Sequence, residues 1–466
     1  MWGQRRSLEK TEMMNGVRSA MRKAHGIAKD ISATGSENSS KTRGVLKAWV
    51  SERFELSRGG GPGNIRPMEG LRGFAALLVF FAHYIGFMKP FIDQSSGFAA
   101  AANAVNFIGN SGVDLFFVLS GYLIYGSLIS RPQLFTQFMS RRVARIYPVF
   151  IVMFAVYIVL SLLLPNESKI PTSAGEAAAF LFGNFFLLAG LFPFTVMISV
   201  AWSLSYEMFY YAVIPAIISV FKLRQKSAGW RVGFFVVVAL AYTAFCFVYW
   251  GRPRLLMFVA GILLYEAINH LRLRAPGSMF TVVVVSAALL LQLSPVTNSV
   301  GNTLQVVALF VAYFILCFCC FADTGAWLRR VFEWSPLRWF GNMSYSFYMV
   351  HALAMQFAVL VLATFLPASS AYGPLLFWAF MPALFVTALV PAVLMYLFVE
   401  RRFSLKPTRT PDDGPVELPK PAPLRALRVP FGPSVVRARS QTRTVYADRK
   451  RNPEPRGLEQ RGTDRD

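Results

Sequence analysis

Between Leu71 and Val399 the chain repeats one feature: apolar runs of roughly the length that crosses the ~30 Å hydrocarbon core of a bilayer, separated by short polar loops. The runs are about Leu71–Phe87, Val113–Ile129, Ile146–Leu164, Trp202–Phe221, Val232–Tyr249, Leu255–Ile268, Met279–Leu293, Leu304–Phe321, Phe340–Leu366 and Leu375–Val399. Hydrocarbon offers the backbone no hydrogen-bond partners, so runs of this kind must close their own bonds as helices. Only 15% of the residues are charged, against about a quarter in soluble domains, and mean hydropathy is +0.45. The expected fold is therefore an all-α polytopic membrane protein, a bundle of about ten transmembrane helices.

Ala177–Phe192 decides the topology. It is apolar but short, and Pro193 breaks it. If it crosses, the basic loop Lys222, Arg224, Lys226 and Arg231 falls outside, together with the basic residues near Arg272 and Arg329 and the tail. If it is re-entrant or interfacial, all of these fall inside. The positive-inside rule selects the second arrangement and puts both termini in the cytoplasm. Arg131, Arg141, Arg142 and Arg145, read as a basic loop, also lie inside, whereas Arg252 and Arg254 are a basic pair left outside with no assigned role. Three regions follow: 1–64, a cytoplasmic polar extension, partly disordered, with a short amphipathic helix weighed for Arg18–Lys29; 65–403, the transmembrane domain; and 404–466, a basic, Pro-rich, disordered cytoplasmic tail that suits contact with anionic lipid. The first 60 residues are polar and show no signal peptide. The net charge of +23 sits where topology requires it, which argues against nucleic acid as a partner and for the lipid bilayer. The four cysteines, Cys246, Cys317, Cys319 and Cys320, lie in apolar runs without metal or disulfide spacing.

Ionisable side chains inside such runs are costly and mark function by default. His83 lies eleven residues beyond Arg72, about 16 Å along a helix, and so near mid-membrane. Asp114 opens GVDLFFVLSGYLI. Glu207 sits in WSLSYEMFYY, and His351 ends GNMSYSFYMVH. Two histidines and two carboxylates suggest a shared polar cavity. Arg72, Arg142 and Arg145 suggest a cationic mouth at its inner end, suited to phosphate. Histidine titrates near neutral pH, so His83 suits proton transfer, with Asp114, Glu207 or His351 orienting it. A neutral His83 acting as general base and an acyl-histidine intermediate both fit the residues. Trp202, Phe209, Tyr210 and Tyr211 suit sugar stacking and equally an interfacial belt. Gly109, Gly112 and Gly121, with Ser111 and Ser120, suit close helix packing.

Arg72 with ten residues before His83, GVDLFFVLSGYLI, RRVARIYPVF, AWSLSYEMFYY, and GNMSYSFYMVH followed by VERRF together resemble the acyltransferase 3 family of integral membrane acyltransferases. The blocks span roughly 66 to 403. The resemblance implies an O-acyltransferase, acetyl most often, of the bacterial inner membrane. The implied donor is acetyl-CoA or another acyl-CoA, with no permanently bound cofactor and no metal. The implied acceptor is a carbohydrate hydroxyl of O-antigen, exopolysaccharide or a related glycan, presented lipid-linked or free. It places the family's Arg–His motif on Arg72 and His83, its basic pair on Arg142 and Arg145, and its acidic residue on Glu207, preceded here by the less usual Tyr206. No SGNH-type hydrolase signature accompanies them, so a stand-alone member is expected. The alternatives are a transporter or flippase of a lipid-linked sugar, disfavoured by the lack of an internal repeat, and an acyltransferase acting on a small lipid, antibiotic or peptide amine.

Overall fold

The computed structural model describes residue 48, residues 51–55 and residues 66–405, apart from 94, 250, 272, 295, 297, 323–324 and 367–372. The Arg18–Lys29 helix, most of the 1–64 extension and nearly all of the 404–466 tail lie outside the described residues. So do both chain termini, on which the expectation of a cytoplasmic side falls.

Among the described residues, 51–54 are helical, fourteen α-helices follow from Arg66 onward, and there is no strand. These are α1 Arg66–Met88, α2 Gly97–Asn110, α3 Gly112–Ser130, α4 Phe135–Leu163, α5 Ala174–Phe185, α6 Trp202–Val220 and α7 Ala228–Val248. They continue with α8 Leu256–Asn269, α9 Ser278–Leu291, α10 Ser299–Ala322, α11 Trp327–Phe332, α12 Ser335–Asn342, α13 Ser344–Phe365 and α14 Pro374–Met395. A π-helix, Tyr396–Ser404, follows α14. Among the described residues, eight helices are long and apolar enough to cross a membrane. The other two expected spans are α8 and α9, of 14 residues and about 21 Å each. The 177–192 stretch folds as α5, 12 residues and about 18 Å long, followed by turns. Asn184 fixes those turns: its amide donates to the carbonyls of Phe180 and Thr195, and its oxygen accepts from Met197 N–H at 2.8 Å.

Three sequence expectations change. The stretch before α3 is helical rather than a loop, so α2 and α3 make a 34-residue path, Gly97–Ser130, with a single turn residue at Ser111. The supposed basic loop is the first part of α4, since FTQFMSRRVAR contains no helix breaker and arginine is a good helix former. Only Arg131–Leu134 remains as connection. Arg142 and Arg145, three residues apart, therefore share one face of a rigid helix. Finally, α1 begins at Arg66, before its apolar run, because its first turns are buried against α11 and α12. A Cβ on Gly70 would meet the Phe332 carbonyl at 1.8 Å, and one on Gly73 would meet the Leu337 carbonyl at 2.2 Å. His83 accordingly lies in the last third of α1, not at its middle.

Glycines also set a close crossing between α3 and α8. A Cβ on Gly121 of α3 would lie 2.2 Å from the Phe258 carbonyl of α8, and one on Gly261 of α8 would lie 2.0 Å from the Val118 carbonyl. Small residues let the two backbones touch, and in lipid such packing replaces the hydrophobic drive available in water. Beside this crossing, Arg231 of α7 grips Glu266 of α8 with two bonds, 2.6 and 2.8 Å long, while Tyr125 of α3 also donates to Glu266. A buried charge is tolerable only when paired in this way.

Candidate active site

A cavity opens between α1, α3, α4, α6 and α13. Arg72, Arg142, Arg145, Ser120, Glu207 and Tyr345 line it, among others. Along α3 its lining runs from Val113 to Ile124, about 16 Å. Each polar wall residue is held by a neighbour. Arg72 donates to Ser344 Oγ at 3.2 and 3.3 Å. Arg142 donates to Ser127 Oγ at 3.3 Å and lies over the rings of Phe138 and Tyr211, 5.1 and 5.3 Å from their centroids. Glu207 Oε1 accepts from Tyr211 Oη at 2.5 Å and from Ser120 Oγ at 3.4 Å. Arg145 faces the buried Glu400 carboxylate at 2.8 Å. Glu400 in turn accepts from the N–H and hydroxyl of Ser346, at 3.1 and 2.6 Å. It sits on the π-helix, whose wider turn brings it inward, and such π segments recur at functional sites.

The two histidines form a separate pair. Their rings meet edge to face with centroids 4.8 Å apart. His83 Nδ1 lies 3.0 Å from the Val79 carbonyl. His351 Nδ1 lies 3.0 and 2.8 Å from the carbonyls of Phe347 and Tyr348. A carbonyl only accepts, so in both rings Nδ1 carries the proton and Nε2 holds the free electron pair. His351 Nε2 is buried with no hydrogen-bond partner. Tyr348 connects the pair to the cavity. It lines that cavity, its hydroxyl bonds Ser203 Oγ at 2.8 Å, and its ring stands 5.9 Å from that of His351. Arg72 and His83 share a face of α1, because eleven steps of about 100° return to within about 20°.

Asp114 joins neither group. Buried at the start of α3, it lies 3.7 Å from Arg254 Nε, and neither carboxylate oxygen has a hydrogen-bond partner. The expectation of one polar cavity shared by His83, Asp114, Glu207 and His351 is thus not met. Antiparallel packing spreads them along the bundle: Gly109 touches Leu78 and Ala82, and Asn106 bonds the Ala82 carbonyl at 2.6 Å. His83 is therefore level with the end of α2, Asp114 stands nearer the cavity, Glu207 lies beside Ser120, and Arg142 beside Ser127. Of the expected groupings, Arg72, Arg142 and Arg145 do line one cavity. Sequence reasoning missed Glu400, whose only signal was a lone acid in the otherwise basic VERRF. It also left Arg254 without its partner.

Apart from Glu400, the residues of the cavity and the histidine pair lie within a stretch that matches a known family. The family described as an acyltransferase domain matches residues 66–397. The chain belongs to the acyltransferase 3 family. This acyltransferase is 30% identical over 319 residues to "Acyltransferase MdmB" of Streptomyces mycarofaciens, covering 62% of this chain and 79% of that protein. It is 27% identical over 384 residues to "Putative peptidoglycan O-acetyltransferase YrhL" of Bacillus subtilis (strain 168), covering 74% of this chain. The match covers 54% of the length of that second relative. No solved structure matches the chain. The protein is thus a multi-pass membrane acyltransferase, and membership gives no support to the transporter reading.

Proposed function

We propose that this acyltransferase moves an acyl group, acetyl in the first instance, from acyl-CoA to a hydroxyl of an extracytoplasmic carbohydrate at the inner membrane of a bacterium. The cavity carries this reading: three arginines in its wall and, past Tyr348, two histidines whose Nε2 atoms hold the electron pair. Arg72, Arg142 and Arg145 hold the donor's phosphates from the cytoplasmic side, since guanidinium forks match phosphate oxygens. The thioester lies along the cavity. His83 Nε2 takes the proton of the acceptor hydroxyl as its oxygen attacks the thioester carbonyl. The C–O ester bond forms, the C–S bond breaks, and the proton passes to the departing thiolate. His351 packs against His83 and fixes its ring.

His83→Ala should lower acyl transfer by about 10²- to 10⁴-fold, the usual worth of a general base. The measurement is incorporation of labelled acetyl from acetyl-CoA into envelope glycan, in membranes holding equal amounts of protein. Full transfer by the variant would refute the mechanism.

A further inference from the structure

Two arginines, Arg252 and Arg254, stand outside the cavity wall, near the end of α3 opposite Arg142. The Asp114–Arg254 and Arg142–Ser127 contacts are thirteen residues apart on α3, about 20 Å. Arg254 sits on a 3-10 turn, Pro253–Leu255, that leads into α8, and Arg252 immediately precedes it. Neighbouring helices pin its backbone: Tyr242 Oη donates to the Arg252 carbonyl at 3.2 Å, and Tyr210 Oη to the Leu255 carbonyl at 2.8 Å. Each guanidinium lies over an aromatic ring. Arg254 is 5.8 Å from the Trp202 centroid, and Arg252 is 5.8 Å from that of Tyr206. Trp202 and Tyr206 pack edge to face, 5.4 Å apart, beside Phe117 and Ser203 of the cavity wall. From beneath, buried Asp114 draws Arg254 inward with both its oxygens otherwise unbonded, while Arg252 stays exposed. The arrangement is a fixed pair of cations with an aromatic floor.

We propose that Arg252 and Arg254 clamp the acceptor, and that the acceptor carries an anionic group, phosphate or carboxylate, on or beside the sugar presented to His83. Guanidinium forks bind either anion, and the half-buried Trp202 ring offers a face for the sugar. Asp114 is a positioning residue that aims Arg254. The inference rests on the acyl-transfer reading above.

The test is saturation-transfer NMR of the full chain in phosphatidylcholine nanodiscs, without acyl-CoA, using glucose 1-phosphate, glucuronate and methyl glucoside as probes. The two charged sugars should bind about tenfold more tightly than the neutral one, the order expected of a charge-assisted contact. Arg252→Gln should erase most of that preference, and Arg252→Lys should restore part of it. Arg254→Gln should act alike. Because it strands Asp114 and can prevent folding, Arg252→Gln carries the decision, with its unfolding temperature as control. Equal binding of all three probes, or a preference that survives Arg252→Gln, would overturn the proposal. So would loss of charged-sugar binding when phosphatidylglycerol replaces phosphatidylcholine, because the arginines would then serve lipid headgroups. Absence of acyl transfer from acyl-CoA would sink the earlier reading and leave these binding results standing.

Discussion

Glu400 holds Arg145 at 2.8 Å while binding Ser346 twice, so one carboxylate fixes both the cation and the start of α13. Glu400→Gln keeps an oxygen for Ser346 and removes the charge facing Arg145. If Arg145 binds donor phosphate, KM for acyl-CoA should rise about tenfold, a typical value for a contact to a charged group, with a smaller change in kcat. Steady-state kinetics at equal protein level would check this, and an unchanged KM would detach Glu400 from the donor site. The side chains of the candidate site were legible by type, because His83, Asp114, Glu207 and His351 are ionisable groups in apolar runs. Their grouping was not. Partners such as Arg254 for Asp114 and Glu400 for Arg145 come from helices far apart in the chain, and no local periodicity encodes which helices touch.

The α3–α8 crossing depends on two missing Cβ atoms. Gly121→Ala and Gly261→Ala each drive a methyl into a backbone carbonyl, which neither helix can yield without separating. Each should destabilise the bundle by about 1–3 kcal/mol or more, the usual cost of overpacking. Gly86→Ala meets nothing within 4 Å, so it should be neutral or raise stability by up to about 1 kcal/mol through helix propensity. Unfolding temperatures in detergent would separate the two signs. A wild-type melting point for Gly121→Ala would contradict the close approach. The spans themselves were readable because apolar length is a property of one segment. The α2 helix escaped notice because GFAAAANAVNFIGN is small-residued and weakly patterned, and it earns its helical state by packing on α1. The basic start of α4 reads as a loop in sequence because its charges mask an unbroken helical stretch.

Residues 51–55 strap together parts of the chain far apart in sequence. Phe54 stacks on Tyr396 at 5.3 Å, its carbonyl accepts from Asn342 at 2.9 Å, and Glu55 pairs with Arg338 at 2.9 Å, which also pairs with Glu69. The hydrogen bond from Arg338 holds the Glu55 carboxyl below its ordinary range. A depressed carboxylate stabilises above its unfolded pKa of about 4.3, and that contribution fades as pH falls through the lower folded value. Amides 51–55 should therefore exchange faster below about pH 4, after correction for intrinsic rates, and Glu55→Gln should flatten the dependence. Half-exposure keeps the effect under about 1 kcal/mol. The 34-residue path of α2 and α3 has a larger consequence. It measures about 51 Å, whereas the hydrocarbon core is ~30 Å and tilt alone rarely exceeds 40°. With Arg142 at one water boundary beside Ser127, about twenty residues of helix reach the other boundary near Phe107, which is level with His83. Under the mechanism proposed above, the base then lies near the far boundary of the membrane, and it is the acyl group that makes the crossing.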